Sequence, residues 1–489
     1  MTAYSRRSFL KGSAIAASAG LVHSFPSSVW ARPTGANDAV RVAIIGLHNK
    51  GIPHLKQLLE ETDVRITALC DLDPAMLARA RAVATEKQVE PFTCTDPRDV
   101  LNRADVDAVV VATGNHWHAL LTVWACQAGK DVYVEKPMSH TVWEGRKMIE
   151  SAARYGRIVQ AGMQYSSDSG LIAAGEYVRS GQLGKIKHVR AVFYSKRDGI
   201  GKRFPWYPKD VDYNLFCGPA AMAPLERDQL HYDWHWSWAT GNGELGNNGV
   251  HLLGVAFRML GYTSIAPRVL SVGGRFGYDD VGETPNTMLT VYDYPDTPII
   301  YEQRNLPAKP GVNYSDQCHG LRAGIVATCE GGVVAGLVGA SAVDQDGKLI
   351  QKFPGDGGAT HMRNFLDSVK SRRAQDLKAS VEFGHVVAAA CHHGNISYRI
   401  GQRAPQTDIR KSLASNPAAE QIFGELQTHL GVHQIDLDRH QLTLGQSLEC
   451  DATGEAITQV SSGDARSLEQ ARYLLHESQR PPFVIPDQV

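Results

Sequence analysis

The chain lacks a surplus of charge of one sign, closely spaced cysteines and a long hydrophobic run. Its 50 Lys and Arg residues nearly balance 51 Asp and Glu, for a formal net charge of −1. Without a basic surplus, no field attracts nucleic acid or an anionic membrane. The eight cysteines include no Cys-x-x-Cys pair, which argues against a zinc site or a dense disulfide framework. Stable membrane insertion is not predicted, because no segment has the length and apolarity of a spanning helix.

The first residues have the composition of a targeting segment. Residues 5–11 (SRRSFLK) precede an Ala/Gly-rich stretch, and residues 29–31 (VWA) resemble a small-residue cleavage site. This pattern predicts a twin-arginine signal over residues 1–31, and hence passage through the twin-arginine translocon to the periplasm. A disordered basic tail and an uncleaved anchor are the alternatives. The twin-arginine route carries folded proteins, often with a cofactor already bound.

The next part of the chain alternates strand and helix patterns, as a βαβ series requires. Its aliphatic strands are nearly continuous, which predicts a parallel sheet buried on both faces. The predicted strands cover residues 41–45, 65–70, 108–113, 131–135 and 158–161, with helices near residues 51–61, 74–87, 118–128 and 141–155.

After residue 165 the pattern changes to strands with period-two alternation, which indicates a second, largely antiparallel sheet. The predicted strands cover residues 188–194, 268–273, 287–292, 298–302 and 324–328, with helices at residues 170–180, 361–370 and 381–398. The role of the tail after residue 408 cannot be inferred from its pattern.

The loop after the first strand has the form expected around a dinucleotide pyrophosphate. Gly46 provides the tight turn and Gly51 the close approach of the helix, but His48 stands where a middle glycine is usual. Asn49 is a further candidate in this loop. Asp71 ends the second strand, where a carboxylate accepts bonds from ribose hydroxyls and repels a 2′-phosphate; capping the next helix is its alternative role. NAD is therefore favoured over NADP.

Two later strands end with polar residues at the same predicted edge, where ligands gather in an open α/β sheet. Thr113, Asn115 and His116 follow one strand and are candidates for contact with the nicotinamide-side ribose or amide. Glu135 and Lys136 end the next strand, within residues 131–137 (DVYVEKP). A protonatable group is thus predicted beside the cofactor, which points to a nicotinamide-dependent enzyme.

An aromatic run at residues 231–238 (HYDWHWSW) is the best candidate for a sugar-binding surface, because sugar C–H faces stack on aromatic rings. Ordinary core tryptophans are the alternative. His231 and His235 have the spacing of helical metal ligands, but no third ligand follows at a clear spacing, so no metal is predicted. The triplet 196–198 (KRD) suits an anionic or highly hydroxylated substrate, or is simply solvated. The candidate substrate residues are Gln164, Tyr165, Trp234, His235 and Trp236.

From about residue 40 to 402 the chain resembles the Gfo/Idh/MocA family of sugar oxidoreductases. The motifs that carry the resemblance are GLHNKG (46–51), CDLD (70–73), TGNHWH (113–118), VEKP (134–137), GNGELGNNGVH (241–251) and HMRNFLDSV (361–369). The resemblance implies an N-terminal Rossmann domain and a C-terminal α/β domain whose largely antiparallel open sheet backs the substrate pocket. The expected limits are residues 37–165 for the first domain, 166–407 for the substrate and oligomerisation domain, and 408–489 for a C-terminal extension.

The resemblance also implies hydride transfer between a nicotinamide and a sugar or cyclitol, and a homo-oligomer. By position, Lys136 matches the family's EKP lysine and His251 the histidine that ends the second motif. Asn247 stands where many members have aspartate; its neutral amide can still orient a substrate hydroxyl but cannot raise the basicity of a neighbouring histidine or lysine. Asn247 and His251 are therefore candidates for contact with the substrate as well as for catalysis. Acid–base duty is then expected of His251, which needs no pKa tuning, with Lys136 stabilising negative charge on the reacting oxygen or sharing the proton.

Two other functions remain open. The first is a redox-neutral glycoside hydrolase or epimerase that keeps its NAD and returns the hydride, which export with a loaded cofactor favours. The second is a non-catalytic protein that binds NAD or sugar. The presence of both Lys136 and His251 argues against the second.

Overall fold

The computed structural model describes residues 39–451 and 453–489, so the predicted signal at residues 1–31 lies outside the described residues. The first six strands form one parallel sheet in the order β3-β2-β1-β4-β5-β6. These strands are β1 Val40–Ile45, β2 Val64–Cys70, β3 Phe92–Cys94, β4 Ala108–Val111, β5 Asp131–Glu135 and β6 Val159–Gly162. The helices between them are α1 Gly51–Leu58, α2 Pro74–Glu86, α3 Pro97–Leu101, α4 Asn115–Gln127 and α5 Val142–Tyr155. The predicted parallel sheet is confirmed.

The strand order reverses at β1, which pairs with β2 on one side and β4 on the other. Ile45 is in register with Cys70 and with Val111, and Val111 is in register with Val134. The residues that follow these strands therefore emerge at one edge of the sheet. Such a reversal point is where open α/β sheets bind ligands.

The second sheet has twelve strands, and its main path runs β14-β13-β12-β11-β7-β10-β9-β8-β16-β15. Strands β7 and β10 pair in parallel, and the other described pairs are antiparallel, which confirms the largely antiparallel sheet. The central strands are β7 Ile186–Tyr194, β8 Arg268–Gly274, β9 Thr287–Asp293, β10 Ile299–Arg304 and β11 Ala323–Cys329. The outer strands are β12 Gly332–Leu337, β13 Gly339–Asp344, β14 Leu349–Phe353, β15 Gln402–Arg403, β16 Thr443–Leu444, β17 Leu448–Cys450 and β18 Ile457–Val460.

The remaining helices cover this sheet and join it to the first one. They are α6 Ser169–Arg179, α7 Tyr213–Cys217, α8 Val250–Leu260, α9 His361–Ser371, α10 Val381–Arg399, α11 Gln406–Leu413, α12 Pro417–Val432 and α13 Ala465–Leu474. Phe365 and Leu366 of α9 are fully buried in the same apolar cluster as Val42 and Ile44 of β1. A helix late in the chain thus completes the core of the first sheet.

The tail after residue 408 is built into the second sheet. Strands β16 and β17 both pair with β8, and Phe423 and Leu426 of α12 pack with residues of β8–β10. Near the C-terminus, the ring of Phe483 packs edge to face on Trp117 of α4, with the ring centres 5.4 Å apart. The tail therefore reaches from the far edge of the second sheet back to the first.

Several predicted elements need correction. The helix expected at residue 118 begins at Asn115, because Gly114 is still extended and the turn after β4 is short. Strand β3 and helix α3 were not predicted; β3 has three residues, too few for an alternating pattern. Strands β12–β14 were also missed. No helix in the described part of the chain is both long and apolar enough to cross a bilayer.

Candidate active site

A cavity of about 530 Å³ lies at the edge where β1, β2, β4 and β5 end, and segments near both sheets line it. Every predicted cofactor and substrate residue lines this cavity except Gly51 and Trp236. The cofactor loop and the substrate candidates, which lie far apart in the chain, therefore share one space.

The loop after β1 can close into its tight turn only because its two glycines lack side chains. Gly46 has a φ of +90°, and a Cβ there would lie 2.5 Å from the carbonyl oxygen of Ala112. A Cβ on Gly51 would lie 1.9 Å from the carbonyl oxygen of Gly46. Asp71 supports the loop from below, since its Oδ2 accepts the N–H of Leu47 at 2.6 Å. A bare-backbone turn above a carboxylate fits a dinucleotide.

His48, which stands in place of the usual glycine, takes part in a contact that we name the His clasp: His48, His231 and Asp73. The rings of His48 and His231 stack at 4.6 Å with 15° between their planes. His231 Nε2 lies 2.7 Å from Asp73 Oδ2. Burial opposes ionisation of Asp73, but the contact with His231 and the backbone N–H groups of Ala75 and Met76 together outweigh it and lower the pKa of the carboxyl. A segment that follows α7 is thereby fastened across the loop.

His231, one of the two histidines that have the spacing of metal ligands, belongs to the His clasp. His235, the other, places its Nδ1 2.5 Å from the carbonyl oxygen of Tyr232. Within residues 39–451 and 453–489, no group of three or more His, Cys, Asp or Glu side chains is placed to hold a metal ion.

Lys136 is held inside the cavity at the carboxyl end of β5. Its Nζ donates to the backbone oxygen of Asn247 at 2.5 Å and to Asn247 Oδ1 at 2.9 Å. Burial lowers the pKa of Lys136 to about 8. The amine is therefore close to the protonation balance that general acid–base catalysis requires.

Glu135, next to Lys136, is an ionised carboxylate beneath the cavity. Its Oε1 lies 2.7 Å from His54 Nε2 and accepts a bond from Gln164 Nε2 at 3.1 Å. Burial opposes ionisation, but the contact with His54 and the charges of Lys50 and Lys136 together outweigh it and hold the pKa of Glu135 well below its usual range. The sequence analysis missed His54, which sits on α1 without any motif to mark it.

A second buried carboxylate, Glu244, lies behind Asn247. Glu244 Oε1 accepts from Asn247 Nδ2 at 3.3 Å, and the guanidinium of Arg197 donates to both carboxylate oxygens, at 2.9 and 3.2 Å. Asn248 also donates to Glu244. The sequence analysis did not single out Glu244, although it is the one acid within the motif at residues 241–251.

His251 is buried beside Tyr165, with the two rings edge to face at 5.3 Å. Burial, with the nearby charge of Lys136, lowers the pKa of His251 well below its usual value, so the ring is neutral. Its Nδ1 is buried and has no hydrogen-bond partner among the residues that the structure describes. His251 lines the cavity, where a neutral imidazole can donate or accept a hydrogen bond.

Asn115 and His116 line the cavity, but the amide nitrogen of Asn115 and both ring nitrogens of His116 already have partners. Asn115 Nδ2 donates to Asn242 Oδ1 at 3.0 Å. The ring nitrogens of His116 lie 3.2 Å from the carbonyl oxygen of Thr240 and 2.9 Å from that of Phe216. These contacts tie α4 to the segment that follows α7. The cofactor roles of both residues stay predictions.

The aromatic run places two of its three candidate residues in the cavity. Trp234 and His235 stack at 3.7 Å, and burial lowers the pKa of His235 to about 3. Trp236 is buried and lies outside the cavity lining, so the structure does not bring it together with the other candidates, and its substrate role stays a prediction. Asp233–Trp236 form a 3₁₀-helix, in which successive side chains point about 120° apart, so three adjacent rings cannot share one face.

Comparison with known proteins agrees with this architecture. The model of the Gfo/Idh/MocA oxidoreductase family, described as an NAD-binding Rossmann fold, matches residues 40–163. The parallel sheet and its strand order are those of the NAD-binding Rossmann fold that this match describes.

Curated relatives extend the similarity beyond that domain. A glycosyl hydrolase family 109 protein of Shewanella sp. (strain ANA-3) is 31% identical over 238 residues, 43% of this chain and 49% of the relative. The alpha-N-acetylgalactosaminidase of Shewanella oneidensis is 29% identical over 231 residues, 42% of this chain and 48% of the relative. The chain thus spans about half the length of the curated relatives it matches.

Solved structures share the fold. A levoglucosan dehydrogenase in complex with NADH superimposes with a TM-score of 0.54 at 16% identity, covering 72% of this chain and 95% of that one. The WlbA dehydrogenase of Bordetella pertussis, in complex with NADH and UDP-GlcNAcA, gives the same TM-score, identity and coverage. At this identity the likeness establishes the fold.

Proposed function

We propose that this protein is an NAD-dependent oxidoreductase that transfers hydride between nicotinamide and a secondary alcohol of a sugar or cyclitol. The observation that carries the proposal is Lys136, a buried amine near its neutral point in the cavity that also contains the dinucleotide loop. Bound NAD supplies the acceptor or donor of the hydride. Gly46, Gly51 and Asp71 are the residues that would hold it.

The side chains divide the remaining work. In the oxidation direction, Lys136 Nζ accepts the hydroxyl proton, because an amine with a pKa near working pH exchanges protons readily. His251 stays neutral and orients the hydroxyl through a hydrogen bond. The assignment places the base on Lys136 rather than on His251, since burial leaves His251 a much weaker base. Asn247 holds the amine in place through two contacts.

The stacked pair Trp234–His235 provides the surface for the sugar ring. An aromatic face binds the C–H face of a sugar, while Gln164 and Asn248 offer polar groups to its hydroxyls. The test is a panel of sugars, cyclitols and glycosides with added NAD, followed by NADH absorbance. Net NADH formation supports the oxidoreductase.

The pH dependence of that reaction follows from Lys136. We expect kcat/KM for alcohol oxidation to rise with pH to a plateau, with a midpoint near pH 8, because only the neutral amine accepts a proton. In the reduction direction the dependence reverses, since the ammonium must donate, and the rate falls above the same midpoint. An oxidation rate that stays flat from about pH 6.5 to about pH 9.5 would instead assign the base to a group such as His251.

The His clasp favours a second candidate, a redox-neutral glycoside hydrolase or epimerase that keeps its NAD. The clasp fastens a distant segment across the dinucleotide loop, which hinders cofactor exchange. The glycosyl hydrolase names of the curated relatives also support it. Mass spectrometry of acid-quenched protein distinguishes the two: stoichiometric NAD with turnover but no net redox change supports the second candidate.

Replacing His231 with alanine tests the clasp directly. We expect NAD to dissociate about tenfold faster, because the ring stack and the contact with Asp73 are lost together. The measurement is the loss of protein-bound NAD during rapid dilution. His433→Ala is the matched control, since His433 lies 2.7 Å from the carbonyl oxygen of Pro307 and outside the cavity lining. Equal dissociation rates in parent and His231→Ala would remove the structural support for retention.

The twin-arginine signal, periplasmic export, a homo-oligomer and the proposed domain limits remain predictions from the sequence. They fit an enzyme exported with its cofactor, and cleavage after residue 31 in a secreting host would test the first two.

A further inference from the structure

We infer that Glu244 and Arg197 are positioning residues, a buried charge pair that holds Lys136 in its working geometry through Asn247. The contacts form one chain from Lys136 Nζ to Asn247 Oδ1, from Asn247 Nδ2 to Glu244 Oε1, and from Glu244 to the guanidinium of Arg197. The inference rests on the proposed function, in which Lys136 exchanges a proton with the substrate.

The amide of Asn247 has two different ends, and Glu244 selects which one faces the lysine. A carboxylate accepts hydrogen bonds and donates none, so it can only meet the Nδ2 end. Oδ1 is thereby turned to accept from Lys136. In the reverse orientation, Nδ2 would face the ammonium group, and two hydrogen-bond donors cannot bond to each other. An aspartate in place of Asn247 would carry a negative charge in contact with Lys136. Glu244 carries such a charge behind Asn247, separated from Lys136 by the amide.

The backbone supports the same arrangement. Leu245–Gly249 is one turn of π-helix, and such turns free carbonyl groups from the usual helical pattern. The backbone oxygen of Asn247, which lies in this turn, accepts the second bond from Lys136. Both contacts of the amine therefore come from a residue that Glu244 holds.

Burying the Glu244–Arg197 pair costs desolvation free energy, so stability alone does not explain its presence. The side chain of Glu244 is 0% exposed and that of Arg197 is 24% exposed, and a buried ion pair is often no more stabilising than apolar packing. Arg197 also lines the cavity, with its guanidinium 5.7 Å from the ring centre of Tyr232. A charged pair at this position is better explained by the amine that it faces than by stability.

Several groups face Lys136, and their charges act in opposite directions. The titratable groups that interact electrostatically with it are Lys50, His118, Glu135, Arg197, His235, Glu244, His251 and Cys391. The charge of Glu244 favours the ammonium form, whereas that of Arg197 favours the neutral amine. Removing the charge of Glu244 should therefore lower the pKa of Lys136, whereas removing the charge of Arg197 should raise it.

The test is the titration of Lys136 in Glu244→Gln, Arg197→Gln and the double variant. Competitive acetylation of the NAD-loaded protein with acetic anhydride, read by peptide mass spectrometry from about pH 6 to about pH 10, reports the fraction of neutral amine. We expect the midpoint to fall by about one pH unit in Glu244→Gln and to rise by about one in Arg197→Gln. The double variant should return close to the parent.

Controls separate this effect from damage to the fold. Arg268→Gln breaks an ion pair with Asp293 outside the cavity lining and should leave the titration unchanged. Glu244→Asp keeps the charge and should restore a parent-like midpoint. Should Glu244→Gln fail to fold, Arg197→Gln and the milder Arg197→Lys still decide the question. Single variants that shift in the same direction, or not at all, overturn the inference.

The titration requires no substrate, so it is independent of the proposed reaction. Opposite shifts without turnover of any sugar would leave the charge pair in place and refute the proposed function. Turnover with the expected pH profile but without opposite shifts would support the proposed function and refute the positioning role of Glu244 and Arg197.

Discussion

Replacing Lys136 with methionine is expected to lower kcat about a thousandfold while NAD remains bound, because the group that exchanges the substrate proton is removed. Methionine keeps most of the buried volume of the side chain. The measurement is steady-state kinetics on the substrate identified in the sugar panel, with bound NAD determined in parallel. A loss of less than about tenfold would show that another group carries the proton.

The chain contains a matched control for this variant. Lys130 precedes the opposite end of β5, is 2% exposed, and has its pKa lowered to about 8 by burial, as Lys136 has. Its Nζ donates to the carbonyl oxygens of Arg103 and Val106, so its role is structural. We expect Lys130→Met to cost about 1–3 kcal/mol of stability and to leave kcat within about twofold.

Replacing Gly51 with alanine is expected to abolish retention of NAD and to destabilise the first sheet. The new Cβ would lie 1.9 Å from the carbonyl oxygen of Gly46, a backbone atom that cannot move without opening the turn. The strain should amount to about 3 kcal/mol, equivalent to a fall in Tm of about 5–10 °C. The measurements are thermal unfolding and NAD content after purification.

Gly431→Ala is the control for this substitution. Gly431 lies near the end of α12, and a Cβ there meets nothing within 4 Å. Alanine favours a helix over glycine by up to about 1 kcal/mol, so stability should stay equal or rise slightly, with NAD content unchanged. If Gly51→Ala retained NAD as this control does, the turn would not be the pyrophosphate site.

Much of the fold could be predicted because its signals are local. The aliphatic runs of β1, β4 and β5 indicate a parallel sheet, and the glycine turn after β1 marks its ligand edge. The short elements escaped because three to six residues carry little periodicity. Strand β14, for instance, has four exposed residues in a row, so it has no apolar alternation to detect.

Local patterns thus determined the fold class and pointed to the glycine turn and Lys136 as candidate site residues, since each of these depends on neighbours within one strand and its turn. Tertiary structure alone decided the rest of the site. The contact between Lys136 and Asn247 spans 111 positions, that between His231 and Asp73 spans 158, and the two histidines were not predicted to stack. The tertiary structure also determines that Trp236 lies outside the cavity lining and that Glu244 contacts Asn247. The physical reason is that burial and electrostatic fields depend on which segments pack together, and a pKa follows from both.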